Sequence, residues 1–217
     1  MDEYNSEVVV KTLEQVVKIL ETNGIEYRFL GSLVAAAING RLHRKLGDLD
    51  MVIDFKGRNI LYNQLESLGY KKAGGIFSFA RKYLSLDQIT HPTLLDVGFF
   101  CGTWQPDGSF MIGNPRVGFD IEAYALEKTE YSLHGVTFFG IPRKTAAAGI
   151  YASKTNPKRE KELIFLKEKG IKPFPNIYIH VHFFGAHIDW IYHFFVKILN
   201  IIGAIRVRMG LAFDLWR

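Results

Sequence analysis

The chain has 217 residues, of which 48% are hydrophobic and 23% are charged. This balance excludes a disordered chain, and the length allows one substantial core or a domain with an appended element. The formal net charge of +5 favours polyanionic ligands. No basic run is interleaved with aromatic residues as in a single-strand groove, so nucleic acid is not the expected partner.

The elements in chain order begin with a helix whose apolar residues, Val8, Leu13, Val16, Val17 and Leu20, recur at helical spacing before Asn23-Gly24. Strands are predicted over 27–30 and 51–55, and a helix is predicted over 59–68. The later segments 76–83, 94–100 and 136–139 are strand-like, with Gly, Pro and Asp between them. The pattern alternates helices and strands and shows no internal repeat.

The turn Gly31-Ser32 joins the first predicted strand to the helix-compatible segment 33–38. Glycine lets the backbone approach a ligand closely, and a helix N-terminus presents free N–H groups and the positive end of its dipole. We expect Ser32 to cap this helix. Such a turn suits the β- and γ-phosphates of a nucleotide, although many strand-to-helix turns contain Gly or Ser for structural reasons alone.

Two aspartates, Asp48 and Asp50, precede the apolar run of the second strand. In an extended strand, residues two apart point to the same side, so both carboxylates can face one cleft. Their repulsion is relieved by a cation, and Mg²⁺ prefers such oxygen ligands together with substrate phosphates. The simpler interpretation is a pair of surface aspartates at a strand start.

The order and spacing of these residues resemble the signature of the DNA polymerase β-like nucleotidyltransferase superfamily, closest to its minimal and antibiotic-modifying branch. The matching residues are Gly31-Ser32, Asn39-Gly40-Arg41, Arg44 and Asp48-Leu49-Asp50. The resemblance implies an α/β fold, a small mixed β-sheet flanked by helices. It also implies Mg²⁺, as two ions, and a nucleoside triphosphate, expected to be ATP, whose nucleoside monophosphate passes to an acceptor hydroxyl with release of pyrophosphate.

The resemblance requires a third carboxylate on a later strand, and Asp96 lies between apolar residues as such a carboxylate would. It would bind the catalytic metal and accept the proton of the attacking hydroxyl. A strand aspartate paired with an arginine is the alternative interpretation. Asp87 and Asp120 are further candidates in weaker contexts.

A fourth match lies downstream, where residues 154–163 resemble the family's lysine followed by an Arg-x-Lys-Asp/Glu step. Lys154 or Arg159 could neutralise triphosphate charge. For Lys158, Lys161 and Glu162 we favour a solvent-exposed helix face.

The predicted site therefore has two parts. The catalytic and metal-binding residues are Asp48, Asp50 and Asp96, and the nucleotide-binding residues are Gly31, Ser32, Arg44 and Lys154. The acceptor is not identified by any motif. The loop 102–108 would border its pocket, or would be a surface hairpin.

The predicted catalytic domain covers residues 1–172, and residues 173–217 form a C-terminal extension. Between 189 and 209, apolar residues fall on one face of a helix. This amphipathic helix would pack on the core, form a homodimer or lie on an anionic membrane surface. Basic residues interrupt its apolar runs, so a membrane span is not expected. His180, His182, His187 and His193 have no carboxylate or cysteine at ligand spacing and do not predict zinc.

Two further features of the sequence bear on the cellular location of the protein. The acidic N-terminus shows no secretory signal, and the single Cys101, in an apolar context, cannot form an intramolecular disulfide. We expect a cytoplasmic protein, with peripheral contact at the inner membrane surface as an option.

Two other functions stay open at this point. The chain could be a non-catalytic member of the same fold that binds a nucleotide or a protein, or a membrane-surface protein acting through its C-terminal helix. The presence of Asp48, Asp50 and Asp96 together favours the enzyme.

Overall fold

The structure is a computed structural model that describes residues 5–74, 85–114, 116–154, 156, 159–174, 179–184, 186–188 and 190. The strand predicted over 76–83 lies outside the described residues. So does the amphipathic helix predicted over 189–209, apart from residue 190.

Helices and strands alternate through the first half of the chain. The α-helices of the described residues are α1 (Ser6–Thr22), α2 (Gly31–Asn39), α3 (Arg58–Ser67), α4 (Arg143–Ala152) and α5 (Glu160–Glu168). The strands are β1 (Tyr27–Phe29), β2 (Asp48–Asp54), β3 (Lys71–Lys72), β4 (Leu86–Thr90), β5 (Asp96–Trp104), β6 (Phe110–Asn114), β7 (Val117–Ile121), β8 (Thr129–Leu133), β9 (Val136–Gly140), β10 (Ile179–Phe183) and β11 (Ala186–His187).

All of these strands belong to one sheet. The main strand order is β11-β10-β7-β6-β5-β2-β1-β9-β8. Strand β4 pairs with β3 on one side and with β5 on the other, along the same edge of β5 that pairs with β6 further on. The β2–β5 and β1–β9 pairs are parallel, and the other pairs are antiparallel. The predicted α/β class with a mixed sheet flanked by helices is therefore confirmed.

The core lies on the side of the sheet that α1 covers. One face of α1 is buried at helical spacing through Val9, Leu13, Val16 and Leu20, which is the pattern that predicted the helix. A second apolar cluster joins α2, α4 and α5 through Ala35, Ala147, Ile150, Phe165 and Leu166. This second cluster holds the start of α5 near the start of α2.

The strand β2 begins earlier than the predicted 51–55 because its pairing with β5 starts at Asp48. Leu49, Met51 and Ile53 are buried, whereas Asp48 and Asp50 are exposed. The period-two alternation of a strand thus sends these three apolar side chains to one face and both carboxylates to the other, which they share with the buried Val52.

Strands β10 and β11 lie in the region that the sequence assigns to the C-terminal extension. β10 pairs with β7 over five residues, from Ile179↔Ile121 to Phe183↔Val117. The first part of the extension therefore continues the sheet, and the division at residue 172 stays a prediction. Over the residues that the structure describes, no helix combines the length and apolar character needed to cross a membrane.

A buried ion pair links strand β4 to helix α3. Asp87 in β4 is fully buried and accepts hydrogen bonds from Arg58 Nε at 2.8 Å, Arg58 Nη2 at 3.1 Å and the Tyr62 hydroxyl. Cys101, the buried free cysteine, contacts the same carboxylate, with Sγ 3.6 Å from Oδ2. Asp87 is paired with Phe99, so it points to the face opposite Gly98. This carboxylate anchors α3 to the sheet.

We expect Asp87→Asn to lower the free energy of unfolding by about 3 kcal/mol, because it removes the charge that neutralises a largely buried guanidinium. Glu66→Gln is the control, since Glu66 is half exposed and its Lys72 partner is 3.9 Å away. That change should cost about 0.5 kcal/mol or less. Urea unfolding of both variants checks this expectation, and equal losses would contradict it.

Candidate active site

The two parallel strands β2 and β5 bring the three predicted carboxylates to one face of the sheet. Asp48 is directly paired with Asp96, and Asp50 is paired with Gly98. Paired residues in neighbouring strands point to the same side, and so do residues two apart in one strand. Asp48, Asp50 and Asp96 therefore share one face of the sheet.

Gly98 leaves room for the Asp50 carboxylate. A Cβ atom at this position would lie 3.0 Å from Asp50 Oδ1 and 2.8 Å from Gln88 Oε1. Neither Gly98 nor Gln88 was among the predicted site residues. A glycine inside a strand often marks a close approach of other groups, and that signal could have identified Gly98.

Gly31 brings the start of α2 against the same carboxylate. It has a φ of +61°, and a Cβ atom there would lie 3.7 Å from Asp50 Oδ2. The Leu30 N–H donates to the Asp50 carbonyl oxygen at 2.8 Å, which fixes the turn to β2. The N-cap of α2 is Leu30, and no side chain caps this helix. Its first N–H groups thus remain available to a ligand beside Asp50.

Ser32 does not cap α2, so that expectation was wrong. Its Oγ instead accepts hydrogen bonds from Arg44 Nη2 at 2.6 Å and from Arg159 Nη1. A serine oxygen carries two lone pairs and can accept both bonds. The hydroxyl therefore joins two guanidinium groups at the start of α2.

Glu162 completes this group of charges. Its side chain is 1% exposed, with Oε2 2.8 Å from Arg159 Nη1 and Oε1 3.4 Å from Arg44 Nε. The prediction that Glu162 lies on a solvent-exposed helix face was wrong. Lys161 is exposed as expected, and Lys158 lies outside the described residues. Lys161 and Glu162 differ in exposure because consecutive residues of an α-helix point about 100° apart.

The electrostatics of Asp50 connect the carboxylates to the arginines. The Asp50 residue is exposed, but the segments at Gly31 and Gly98 come close to its carboxylate and enclose part of it. This enclosure raises the pKa of Asp50 above the ordinary aspartate range, and repulsion from Asp48 acts in the same direction. The charges of Arg159 and Arg44 oppose that rise. A cation at the carboxylate pair would relieve the same repulsion.

The donor set fits Mg²⁺ in its chemistry. Mg²⁺ takes oxygen ligands and is commonly held by one or two carboxylates, with water and substrate phosphate completing its shell. Asp48 and Asp50 supply two such carboxylates on one strand face. Across the described ranges, no three His, Cys, Asp or Glu side chains are grouped closely enough to hold a metal ion by themselves.

Asp96 has a position next to Asp48 but a different environment. Its Oδ1 accepts the His91 N–H at 3.4 Å, and its own N–H donates to the Gly47 carbonyl oxygen at 3.1 Å. The other candidates for a third carboxylate lie elsewhere. Asp87 is on the opposite face, and Asp120 on β7 has its Oδ2 2.7 Å from His182 Nδ1. Of the three, Asp96 is the aspartate that lies in register with Asp48.

Lys154 lies exposed in the turn after α4, where its N–H donates to the Tyr151 carbonyl oxygen. Its role in nucleotide binding stays a prediction. The sequence left Lys154 and Arg159 as alternatives for a cation at the triphosphate. Arg159 is the one whose guanidinium contacts Ser32.

The segment 102–108 completes β5 and turns into β6, so it is a hairpin. It also borders a cavity of about 390 Å³, lined by Arg28, Trp104, Gly108, Ala123, Tyr124, Leu126 and Glu127. In a strand, residues an even number apart point to the same face. Arg28 is paired with Val52, which is two residues from Asp50, and Trp104 is an even number of residues from Asp96. Strand alternation therefore places this cavity on the face of the carboxylates.

The architecture that carries these residues is the nucleotidyltransferase fold, and the fold predicted from the sequence resemblance is confirmed. The chain is similar to the crystal structure of the lincosamide antibiotic adenylyltransferase LnuA with lincomycin bound. The TM-score is 0.59 at 15% identity, over 76% of this chain and 98% of LnuA.

A second similarity is to ANT(2'')-Ia, whose crystal structure contains adenylyl-2''-tobramycin. The TM-score is 0.55 at 12% identity, over 94% of this chain and 99% of that protein. The solution structure of the same antibiotic-resistance factor also has a TM-score of 0.55, at 13% identity. No protein-family model and no curated protein sequence matches the chain. At these identities the similarity establishes the fold.

We expect Gly98→Ala to leave the fold intact and to displace the Asp50 carboxylate, because the new methyl group meets only the ends of the Asp50 and Gln88 side chains. Binding of Mn²⁺ with ATP, measured by electron paramagnetic resonance, should weaken by about tenfold, which corresponds to about 1.4 kcal/mol.

Gly149→Ala is the matched control, since a Cβ atom at this exposed position in α4 meets nothing within 4 Å. It should stabilise the protein by up to about 1 kcal/mol and leave Mn²⁺ binding unchanged. Unchanged Mn²⁺ binding in a folded Gly98→Ala variant would show that Asp50 tolerates the methyl group.

Proposed function

We propose that this protein is a Mg²⁺-dependent nucleotidyltransferase that transfers a nucleoside monophosphate from a nucleoside triphosphate to an acceptor hydroxyl, releasing pyrophosphate. One observation carries the proposal. Asp48, Asp50 and Asp96 share one sheet face, and Asp50 lies beside Gly31 at the uncapped N-terminus of α2, in a chain with the nucleotidyltransferase fold.

The triphosphate would bind at the start of α2. There the N–H groups of the first turn and the positive end of the helix dipole favour an anion. The guanidiniums of Arg44 and Arg159 lie at Ser32, one residue into the same turn. These groups would hold the phosphates so that the α-phosphate lies at the carboxylate pair. Gly31, Ser32, Arg44 and Arg159 are therefore the proposed phosphate-binding residues, with Lys154 as a further candidate.

Asp96 is the proposed general base. It would accept the proton of the acceptor hydroxyl as that oxygen forms a bond to the α-phosphorus, while the bond from this phosphorus to the pyrophosphate oxygen breaks. Its position beside Asp48 supports this role, because a base must lie within hydrogen-bond reach of the attacking group.

Asp48 and Asp50 would hold Mg²⁺, with Asp96 as a ligand of the catalytic ion if two ions bind. Mg²⁺ bound there would stabilise charge on the entering and leaving oxygens. We propose ATP as the donor, since LnuA is an adenylyltransferase and the ANT(2'')-Ia complex contains an adenylyl product.

The acceptor is proposed to be a small molecule that carries a hydroxyl group. LnuA was solved with lincomycin and ANT(2'')-Ia with an adenylylated tobramycin, which supports an acceptor of this size. The cavity beside Trp104 and Tyr124 is on the carboxylate face and offers aromatic surface for such a molecule.

We expect Asp48→Asn and Asp50→Asn each to lower transfer by about a thousandfold or more, because each removes a metal-binding charge without changing the side-chain shape. Pyrophosphate release from ATP and Mg²⁺ with a panel of hydroxyl-bearing small molecules measures transfer, and circular dichroism measures folding.

Asp54→Asn is the matched control at the other end of β2. Asp54 accepts the Lys56 N–H at 2.8 Å, a bond that an asparagine oxygen can also accept. This variant should keep wild-type transfer. Unchanged pyrophosphate release by a folded Asp48→Asn/Asp50→Asn double variant would overturn the assignment. Mg²⁺-dependent ATP binding without turnover across the panel would favour a non-catalytic nucleotide-binding protein.

A further inference from the structure

We infer that Glu162 is a positioning residue that holds Arg44 and Arg159 in place for the triphosphate, with the Ser32 hydroxyl as their shared contact. This inference rests on the proposed function. It assigns a role to a buried carboxylate that would contact neither the nucleotide nor the acceptor.

The geometry shows one carboxylate serving two arginines. Glu162 directs Oε2 to Arg159 Nη1 at 2.8 Å and Oε1 to Arg44 Nε at 3.4 Å. Both arginines are about three-quarters or more buried, with side-chain exposures of 24% for Arg44 and 21% for Arg159. Each guanidinium also donates to Ser32 Oγ. Arg44, Arg159 and Glu162 therefore meet Ser32 at the start of α2.

The charges explain why a carboxylate is needed at this point. Two guanidiniums that donate to one hydroxyl oxygen repel each other, and Ser32 is neutral. The negative charge of Glu162 neutralises one of the two positive charges, so Arg44, Arg159 and Glu162 together carry a net charge of +1. That remaining charge lies beside the positive end of the α2 dipole, where an anion is favoured. The cluster is thus stable without a ligand and still attracts phosphate.

The position of Glu162 on α5 makes it suitable for this role. The second apolar cluster packs α5 against α2 and α4 through Phe165 and Leu166. Glu162 is one helical turn before Leu166, so the same packing that buries those residues directs the carboxylate toward α2. The arginines are thereby held before the nucleotide arrives, which lowers the entropy cost of binding.

The test compares Glu162→Gln with Glu160→Gln, an exposed glutamate two residues earlier on the same helix. Inorganic tripolyphosphate is the probe, measured by isothermal titration calorimetry, and ATP steady-state kinetics give KM and kcat. Glutamine carries no charge: its amide oxygen can still accept from Arg159, but the ion pair with Arg44 is lost and an NH2 group faces that guanidinium, so the two arginines separate. We expect Glu162→Gln to weaken tripolyphosphate binding and raise the KM for ATP by about tenfold or more, with kcat within about threefold of wild type.

Glu162→Asp, which keeps the negative charge, is the second variant and replaces Glu162→Gln if that variant does not fold. Its side chain is one methylene shorter and cannot reach both arginines at their present distances, so tripolyphosphate binding should weaken by about threefold. Glu160→Gln should bind tripolyphosphate like the wild type.

The outcomes separate this inference from the proposed function. If the wild type binds tripolyphosphate and transfers nucleotide, but folded Glu162→Gln and Glu162→Asp both bind like Glu160→Gln, the positioning role alone is overturned. A fall in kcat with an unchanged KM would also overturn it. If the wild type neither binds tripolyphosphate nor transfers nucleotide, the proposed function fails and the inference fails with it.

Discussion

Repulsion between Asp48 and Asp50 is the constraint around which the rest of the site is arranged. The two carboxylates share one face of β2 because a strand repeats every two residues. Two glycines, Gly31 and Gly98, lie beside the Asp50 carboxylate and leave room for it. Arg44 and Arg159 supply the opposing charge. The face is therefore suited to a cation with an anionic ligand.

The polar groups on the two faces of the sheet have different roles. On the core side, Asp87 is fully enclosed and its charge is matched by Arg58, so it contributes to stability. On the other side, Asp48 and Asp50 remain open to solvent and their repulsion is only partly offset. Aspartates thus contribute to stability on one face and are proposed to bind a metal ion on the other. The alternation of the strands decides to which face each aspartate points.

Much of the fold could be predicted from local pattern. The amphipathic period of α1, the apolar runs of β1, β2 and β5 and the glycine after the first helix were all visible in the sequence. Strands β6, β7 and β8 were not predicted: each has only five residues, and their pairing comes from neighbours in space. β10 was missed for the same reason: its partner β7 lies about 60 residues earlier.

The sequence by itself determined the chemical types at the site: two aspartates at strand spacing, a Gly-Ser turn before a helix, and Arg44 between them. Only the tertiary structure decided how they meet. The β2–β5 register placed Asp96, rather than Asp87, beside Asp48. The packing of α5 on α2 buried Glu162 and brought Arg159 to a serine 127 residues away. The physical reason is that periodicity acts over one turn or two residues, whereas register and helix packing join segments that are remote in the chain.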